Sequence, residues 1–327
     1  MSGRKVAVTG AGGFIGSHVV EALVEADAEV RALVHYNARS DRGGLEWADG
    51  SVLDTVEILF GDVRSAEGVA QAIEGCDLVF HLAGQVAVPY SFQDPRIFME
   101  TNVLGTLNVA IACLAQEVER MVHTSTCEVY GTAQEVPMTE QHPLSARSPY
   151  AASKIGADQT VLSMSRAMGL RATIVRPFNA YGPRQSARSV IPAIIAQGLS
   201  GGAVSLGAMQ PRRDFTYVTD LARGFLGLAL SEDSMGEAVN LCSGREISVD
   251  ELVAEVGKAM DRELVVETDE GRIRPGESEV MRMVGSGERA RQLIAWEPEV
   301  PLPQGLAETT RWIGQHLDAY RPKERAI

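Results

Sequence analysis

Short apolar, β-branched runs alternate along this chain with longer stretches in which apolar residues recur every three or four positions. Lys5–Thr9, Glu29–Val34, Val56–Phe60, Leu78–Leu82, Arg120–His123 and Arg171–Arg176 read as buried strands. Phe14–Ala26, Ala66–Glu74, Pro95–Glu117 and Tyr150–Ala167 carry the helical period between them. That alternation predicts right-handed crossovers and an α/β, Rossmann-like, doubly wound parallel sheet. Beyond Arg176 the rhythm loosens through Pro177–Ser189, rich in Pro, Gly, Asn and Arg. A helix at Val190–Gln197, a strand at Ala203–Leu206, a helix at Val249–Met260 and a strand at Leu264–Glu267 follow. The pattern therefore predicts a first domain over 1–176 that also receives about 213–242, a smaller interleaved α/β lobe over 177–212 and 243–320, and a solvated tail at 321–327.

Two local patterns bring chemistry to this frame. The first strand runs into Gly10-Ala-Gly-Gly-Phe-Ile-Gly16 at a strand-to-helix turn. Gly10 permits the tight turn, Gly13 lets backbone approach a pyrophosphate, and Gly16 allows close helix–strand packing, so a dinucleotide phosphate would rest on the helix N-terminus. The second pattern is Ser148-Pro-Tyr-Ala-Ala-Ser-Lys154, whose four-residue spacing puts the Tyr150 phenol and the Lys154 ammonium on one helical face. A nearby cation, helped by an oxidised nicotinamide, favours the phenolate and would make the tyrosine a base; the spacing by itself equally fits an exposed Tyr–Lys helix pair, so the neighbouring motifs decide.

Composition narrows the class. The 327 residues are 45% hydrophobic and 22% charged, enough for a sizeable core, and a net charge of −13 disfavours nucleic acid as a partner. No run approaches 18 uninterrupted apolar residues and no signal-peptide core precedes the first strand, so a cytoplasmic protein with no membrane partner is expected. Cys76, Cys113, Cys127 and Cys242 are scattered without a C-x-x-C pair, which points to reduced thiols and no structural metal.

The ordered set Gly61-Asp-Val63, His81-Leu-Ala-Gly84, Asn102-Val-Leu-Gly-Thr106, Ser125-Thr-Cys-Glu-Val-Tyr-Gly131, Tyr150-Ala-Ala-Ser-Lys154, Arg176-Pro-Phe-Asn-Ala-Tyr-Gly-Pro183 and Arg213-Asp-Phe215 resembles the extended short-chain dehydrogenase/reductase superfamily of NAD-dependent nucleotide-sugar epimerases and dehydratases. Tyr36-Asn37, Gly131-Thr-Ala133 and Arg184–Pro192 bring the likeness nearest to the nucleotide-sugar 4,6-dehydratases of the legionaminic-acid pathway. The resemblance implies NAD held by Gly10, Gly13, Phe14, Ile15 and Gly16, by His35 at the second strand's end, by Asp62 and Val63 on the adenine side, by Leu82, Ala83 and Gly84, and by Tyr150, Lys154 and Pro177. Val34-His-Tyr-Asn37 offers no carboxylate for the ribose 2′-hydroxyl, and Arg39 is close in sequence, so NADP stays open.

On the same resemblance Thr126 holds the sugar 4-hydroxyl beside Tyr150, and Glu128 is the base for the C5 proton once C4 is a ketone. Cys127 stands where hexose 4,6-dehydratases carry an aspartic acid, and a mostly protonated thiol there is a reluctant acid for elimination of the 6-hydroxyl. Val88 and Asn179 border the sugar and diphosphate, and Arg188, Arg213 and Arg274 are the phosphate cations, their planar forks suiting phosphate. The implied activity is conversion of a nucleotide-diphosphate hexose or N-acetylhexosamine to its 4-keto-6-deoxy form. A 5,6-dehydratase, a 4-epimerase and a uronate decarboxylase remain alternatives, and a homodimer through the helices at 95–117 and 150–167 is expected.

Overall fold

The computed structural model describes residues 1–272 and 278–320. Six strands occupy the apolar runs: β1 (Lys5–Thr9), β2 (Glu29–His35), β3 (Glu57–Gly61), β4 (Leu78–His81), β5 (Arg120–Thr124) and β6 (Ala172–Pro177). With Ala238–Leu241 they form a parallel seven-stranded sheet in the order β3, β2, β1, β4, β5, β6, Ala238–Leu241. Residues alternate across it: Val6 and Val8 enter the core shared with helices Phe14–Glu25 and Val218–Leu230, while Ala7 enters the core under Ala66–Ile73, Gly105–Ala115 and Pro149–Met168. The fold is the Rossmann-like doubly wound sheet that the alternation predicts. Its strand order reverses between β1 and β4, which opens a crevice at the carboxyl ends of the strands.

Close backbone approach sets that crevice. Gly10 has φ +70°, and a Cβ there would lie 2.5 Å from the Ala83 nitrogen, so only glycine lets the exit of β1 run against the exit of β4. A Cβ on Gly16 would collide with the Gly10 carbonyl, which keeps the first helix tight on the turn.

The helix expected over Tyr150–Ala167 spans Pro149–Met168. Ser148 caps it by accepting the Ala151 N–H at 3.1 Å, Pro149 fits the first turn, and Gly169 ends it at φ +78°. The stretch expected as one helix over Pro95–Glu117 is instead Pro95–Phe98, a π turn at Met99–Leu104, and Gly105–Ala115. The wide turn leaves Asn102 buried, where its Oδ1 accepts from Gln85 N at 2.8 Å and its Nδ2 donates to Gln85 O at 3.0 Å and to Ser153 Oγ at 2.9 Å. Pro95–Ala115 is long and apolar enough by composition to cross a membrane; here it packs against Ala66–Ile73 and Pro149–Met168.

Helices Val190–Leu199, Val249–Ala259 and Leu302–Gln315 gather Ile191, Ile194, Leu252, Val256, Leu306 and Ile313 into a separate apolar core. Small sheets flank it: Val204–Leu206 with Val266–Thr268, and Glu246–Ser248 with Arg212–Asp214 and Arg282–Met283. The strand expected at Leu264–Glu267 spans Val266–Thr268, and Leu264 before it packs beside Gly198. Helix Val218–Leu230 and strand Ala238–Leu241 carry the chain back to the large sheet.

Candidate active site

The crevice collects the ends of all the early strands. Below it Gly13 is the N-cap of Phe14–Glu25, and no side chain caps that helix. The first-turn N–H groups of Phe14 and Ile15 are thus available to an anion, with the positive end of the helix dipole behind them. This uncapped, side-chain-free cradle fits a dinucleotide pyrophosphate. Leu82 N donates to Thr9 O at 3.0 Å, so Leu82, Ala83 and Gly84 follow directly on the turn, and a Cβ on Gly84 would lie 3.6 Å from Lys154 Nζ.

On the far side of β1, His35 is exposed at the end of β2, with Nε2 3.5 Å from Asp62. The Arg64 guanidinium grips Asp62 with a shortest contact of 2.6 Å, and its hydrogen bonds hold that carboxyl below the usual range against desolvation. Val63 is buried against Gly105. The loop beyond β2 is self-bonded: Asn37 Oδ1 accepts from the Arg39 and Asp41 nitrogens, and Gly44 N donates to Gly12 O at 2.6 Å. Arg39 is exposed on it.

The chemistry-bearing side chains meet at the ends of β5 and of the Pro149–Met168 helix. Thr126 is the cap of a short turn over Cys127–Tyr130, its hydroxyl accepting the Glu128 N–H at 3.2 Å. Tyr150 is buried, edge-on to Phe98 at 6.2 Å in a small apolar cluster with Val88. Burial pushes its phenol above the ordinary value; the Thr126 hydroxyl pulls it down, and the Glu128 charge adds to the rise. Lys154 Nζ donates to the Thr124 carbonyl at 2.7 Å, and burial lowers the ammonium to about 8 against the pull of Asp158. The lysine is therefore bonded to the strand that carries Thr126, a geometry that helical spacing alone does not contain. Cys127 is buried among Val129, Tyr130, Met138, Phe178 and Cys242, and burial with the Glu128 charge keeps it a neutral thiol. Glu128, next to it, is partly exposed.

Pro177 ends β6 at the same edge. Asn179 follows, its Nδ2 donating to Asp214 O at 2.9 Å. Arg213 is buried on Arg212–Asp214 and reaches Glu279 at 3.2 Å. The Asp214 carboxylate supports that strand by accepting from Ser243, Gly244 and Gly285, and burial raises it to about 6. Arg188 is exposed, with Nε 3.3 Å from Ser186 Oγ, and Arg274 lies outside the described residues. Among the described residues no group of acidic, His and Cys side chains is arranged to hold a metal.

Sequence reasoning passed over a buried polar cluster behind this site. Asp158, fully buried, accepts from Ser125 Oγ at 2.9 Å and from Arg176 Nε and Nη2 at 3.2 and 3.0 Å. Arg176 Nη1 donates to Tyr130 Oη at 2.9 Å, which donates to Asn240 Oδ1 at 2.8 Å. The signal was present, because Asp158 continues the four-residue spacing of Tyr150 and Lys154.

A family model described as GDP-mannose 4,6 dehydratase matches residues 7–309. The chain belongs to this family. The GDP-mannose 4,6-dehydratase family member described here is 30% identical over 318 residues to a dTDP-glucose 4,6-dehydratase of Actinoplanes sp., covering 94% of this chain and 97% of that one. It is 31% identical over 313 residues to a UDP-glucose 4-epimerase of Mycolicibacterium smegmatis, covering 93% and 97%. A double mutant of dTDP-glucose 4,6-dehydratase from Streptomyces venezuelae, solved with NAD bound, superimposes with a TM-score of 0.87 at 30% identity over 98% of this chain and 99% of that one. Family membership makes this chain an enzyme of the NAD-dependent nucleotide-sugar dehydratase and epimerase kind.

Proposed function

We propose that this protein is a nucleotide-sugar 4,6-dehydratase that converts a nucleotide-diphosphate hexose or N-acetylhexosamine to the 4-keto-6-deoxy sugar, with NAD as its bound cofactor. The observation that carries the reading is Glu128: it sits two residues past Thr126, on the turn that Thr126 caps, and its charge acts on Tyr150. A 4-epimerase needs no second base there, whereas dehydration must remove the C5 proton.

NAD, seated on the glycine cradle, supplies an acceptor for the C4 hydride, a donor that returns it at C6, and a positive charge near the phenol. Tyr150 takes the proton of the 4-hydroxyl, which Thr126 orients. Burial opposes phenolate formation, which makes nearby positive charge decisive, and Lys154, buried on the same helix face, is placed to supply it. Glu128 then takes the C5 proton, the 6-hydroxyl leaves with a proton as water, and Glu128 returns its proton to C5 as C6 is reduced. Cys127 holds its proton too firmly to be a strong acid, so protonation of that hydroxyl falls to Cys127 only weakly, or to water. Arg213 on the second lobe, with Arg188, meets the diphosphate, and Asn179 and Val88 border the sugar.

The test is incubation with a panel of nucleotide sugars and mass analysis of the product. A loss of 18 mass units, the mass of water, is expected, with NMR showing a 4-ketone and a 6-methyl group. Glu128→Gln should block that loss while leaving transient C4 oxidation, seen as cofactor absorbance; full product from the glutamine variant sinks the assignment. The second reading is a 4-epimerase, favoured by the sequestered Cys127 thiol and by the epimerase relative; it yields a product of unchanged mass.

The likeness to the legionaminic-pathway enzymes supports an N-acetylhexosamine as the sugar. A homodimer is supported by the exposed apolar side chains Met99, Leu104 and Ile111 on the 95–115 helical stretch. Leu104→Glu with Ile111→Glu should then elute as a monomer. We place the enzyme in the cytoplasm, in keeping with four free, buried cysteines.

A further inference from the structure

We propose that Asp158 is a positioning residue of this active site: it pins the turn that carries Thr126 and Glu128 through Ser125, and it supplies the buried counter-charge that faces Lys154 from one helical turn away. The proposal rests on the reading of Tyr150 and Lys154 given above.

The geometry is a two-point clamp. Lys154 Nζ holds the Thr124 carbonyl at 2.7 Å and Asp158 Oδ2 holds the Ser125 hydroxyl at 2.9 Å, so one face of one helix grips two successive residues at the end of β5. The next residue is Thr126. Asp158 is itself immobilised by the two Arg176 contacts, and Arg176 is tied on to Tyr130 and Asn240. A carboxylate needed only to neutralise Arg176 would require no bond to Ser125 and no place on the helix face of Tyr150 and Lys154.

The charge argument follows from what surrounds Lys154. Asp158 of its own helix pulls on it, and its charge is felt by His81 of β4 and His123 of β5; Arg176 of β6 is bonded to Asp158, and Cys127 and Glu128, on the turn beyond, act on Tyr150. Burial keeps His81 and His123 neutral, the first with Nδ1 bonded to Thr9 at 2.7 Å and Nε2 to Thr106 at 2.9 Å. His123 Nε2 lies 3.4 Å from Asp158 Oδ1. Asp158 is therefore the buried anion shared by two buried cations, Lys154 and Arg176. Remove its charge and one cation must yield; a guanidinium does not lose its proton, whereas a buried ammonium does.

Asp158→Asn keeps an oxygen for Ser125 and deletes the charge. The alkaline limb of kcat, read from cofactor absorbance during C4 oxidation, should move down by about one pH unit. A second readout needs no substrate. Between pH 7 and 9, above the histidine range, Lys154 in the variant gives up its proton at lower pH than in the wild type. The variant's native state then holds fewer protons, so its deficit in unfolding free energy should narrow as pH rises. A deficit that stays constant with pH, or an unmoved alkaline limb, overturns the charge assignment. Ser125→Ala leaves the charge and removes the pin: kcat should fall roughly three- to tenfold, the worth of one hydrogen bond, with the limb in place. Unchanged kcat overturns the clamp. If the asparagine variant does not fold, Asp158→Glu decides, since its retained charge must leave the limb where it was; a shift of about one unit refutes the proposal. A wild-type enzyme that forms no dehydrated product would overturn the dehydratase reading while leaving the stability readout intact.

Discussion

Tyr150 shows how one side chain can be legible in sequence and still be governed by surroundings that sequence does not display. The spacing to Lys154 predicts a shared helix face, and both side chains are buried on it. What the spacing does not contain is the Thr124 carbonyl that takes the lysine or the burial that drives the phenol upward. Tyr150→Phe keeps the ring against Phe98 and removes only the hydroxyl. Its kcat should fall on the order of 10²- to 10⁴-fold, the usual worth of a positioned acid or base, while the thermal midpoint holds within a few degrees. A variant with near-wild-type turnover would exclude the phenol as the base. Cys127 carries the opposite lesson. Its place in the sequence suggests an acid, and its surroundings are those of an apolar core residue.

The Pro149–Met168 helix is polar where it is buried. Tyr150, Ser153, Lys154 and Asp158 share its inner face with Ala157, Val161 and Met164. An amphipathic reading expects apolar residues there; the structure instead partners Ser153 with Tyr150 O and Asn102, Lys154 with Thr124, and Asp158 Oδ2 with Ser125 and Arg176, while Asp158 Oδ1 makes no hydrogen bond and lies 3.4 Å from His123 Nε2. The helix therefore depends on its ends. Ser148→Ala removes the cap and should cost about 1 kcal/mol in denaturant unfolding, with the slope on denaturant concentration unchanged. The π turn at Met99–Leu104 was invisible in the apolar pattern because inserting one residue preserves composition and shifts only the face.

Whole-molecule coupling runs through the loop after Tyr181. Arg184 ion-pairs with Glu21 of the first helix at 2.6 Å and donates to Trp47 O at 3.1 Å, and His18 Nε2 lies 3.1 Å from Pro183 O. Trp47 in turn meets Trp312 of the C-terminal helix edge-on at 5.5 Å. Burial, then the Arg184 charge, lower His18 to about 4. Because its folded value lies below its unfolded value, this contribution is complete above about pH 6.5 and is lost as pH falls towards 4. His18→Gln should reduce that acid loss by as much as about 3 kcal/mol, measured as unfolding free energy between pH 6.5 and 4. An unchanged slope would place the acid sensitivity elsewhere, at His81 or His123.

Apart from the π turn at Met99–Leu104, the strand and helix rhythm of residues 5–176, the glycine turn and the Tyr–Lys face were determined by sequence alone, because each depends on local periodicity, backbone freedom or a fixed helical spacing. Tertiary structure decided what lies behind them. The tie of Asn102 to Gln85 and Ser153, the sequestering of Cys127 and the grip of Asp158 on the end of β5 join residues from distant parts of the chain. Burial and partner choice at such points arise only when the sheet has closed, since desolvation and long-range hydrogen bonds belong to the packed chain and to no segment of it.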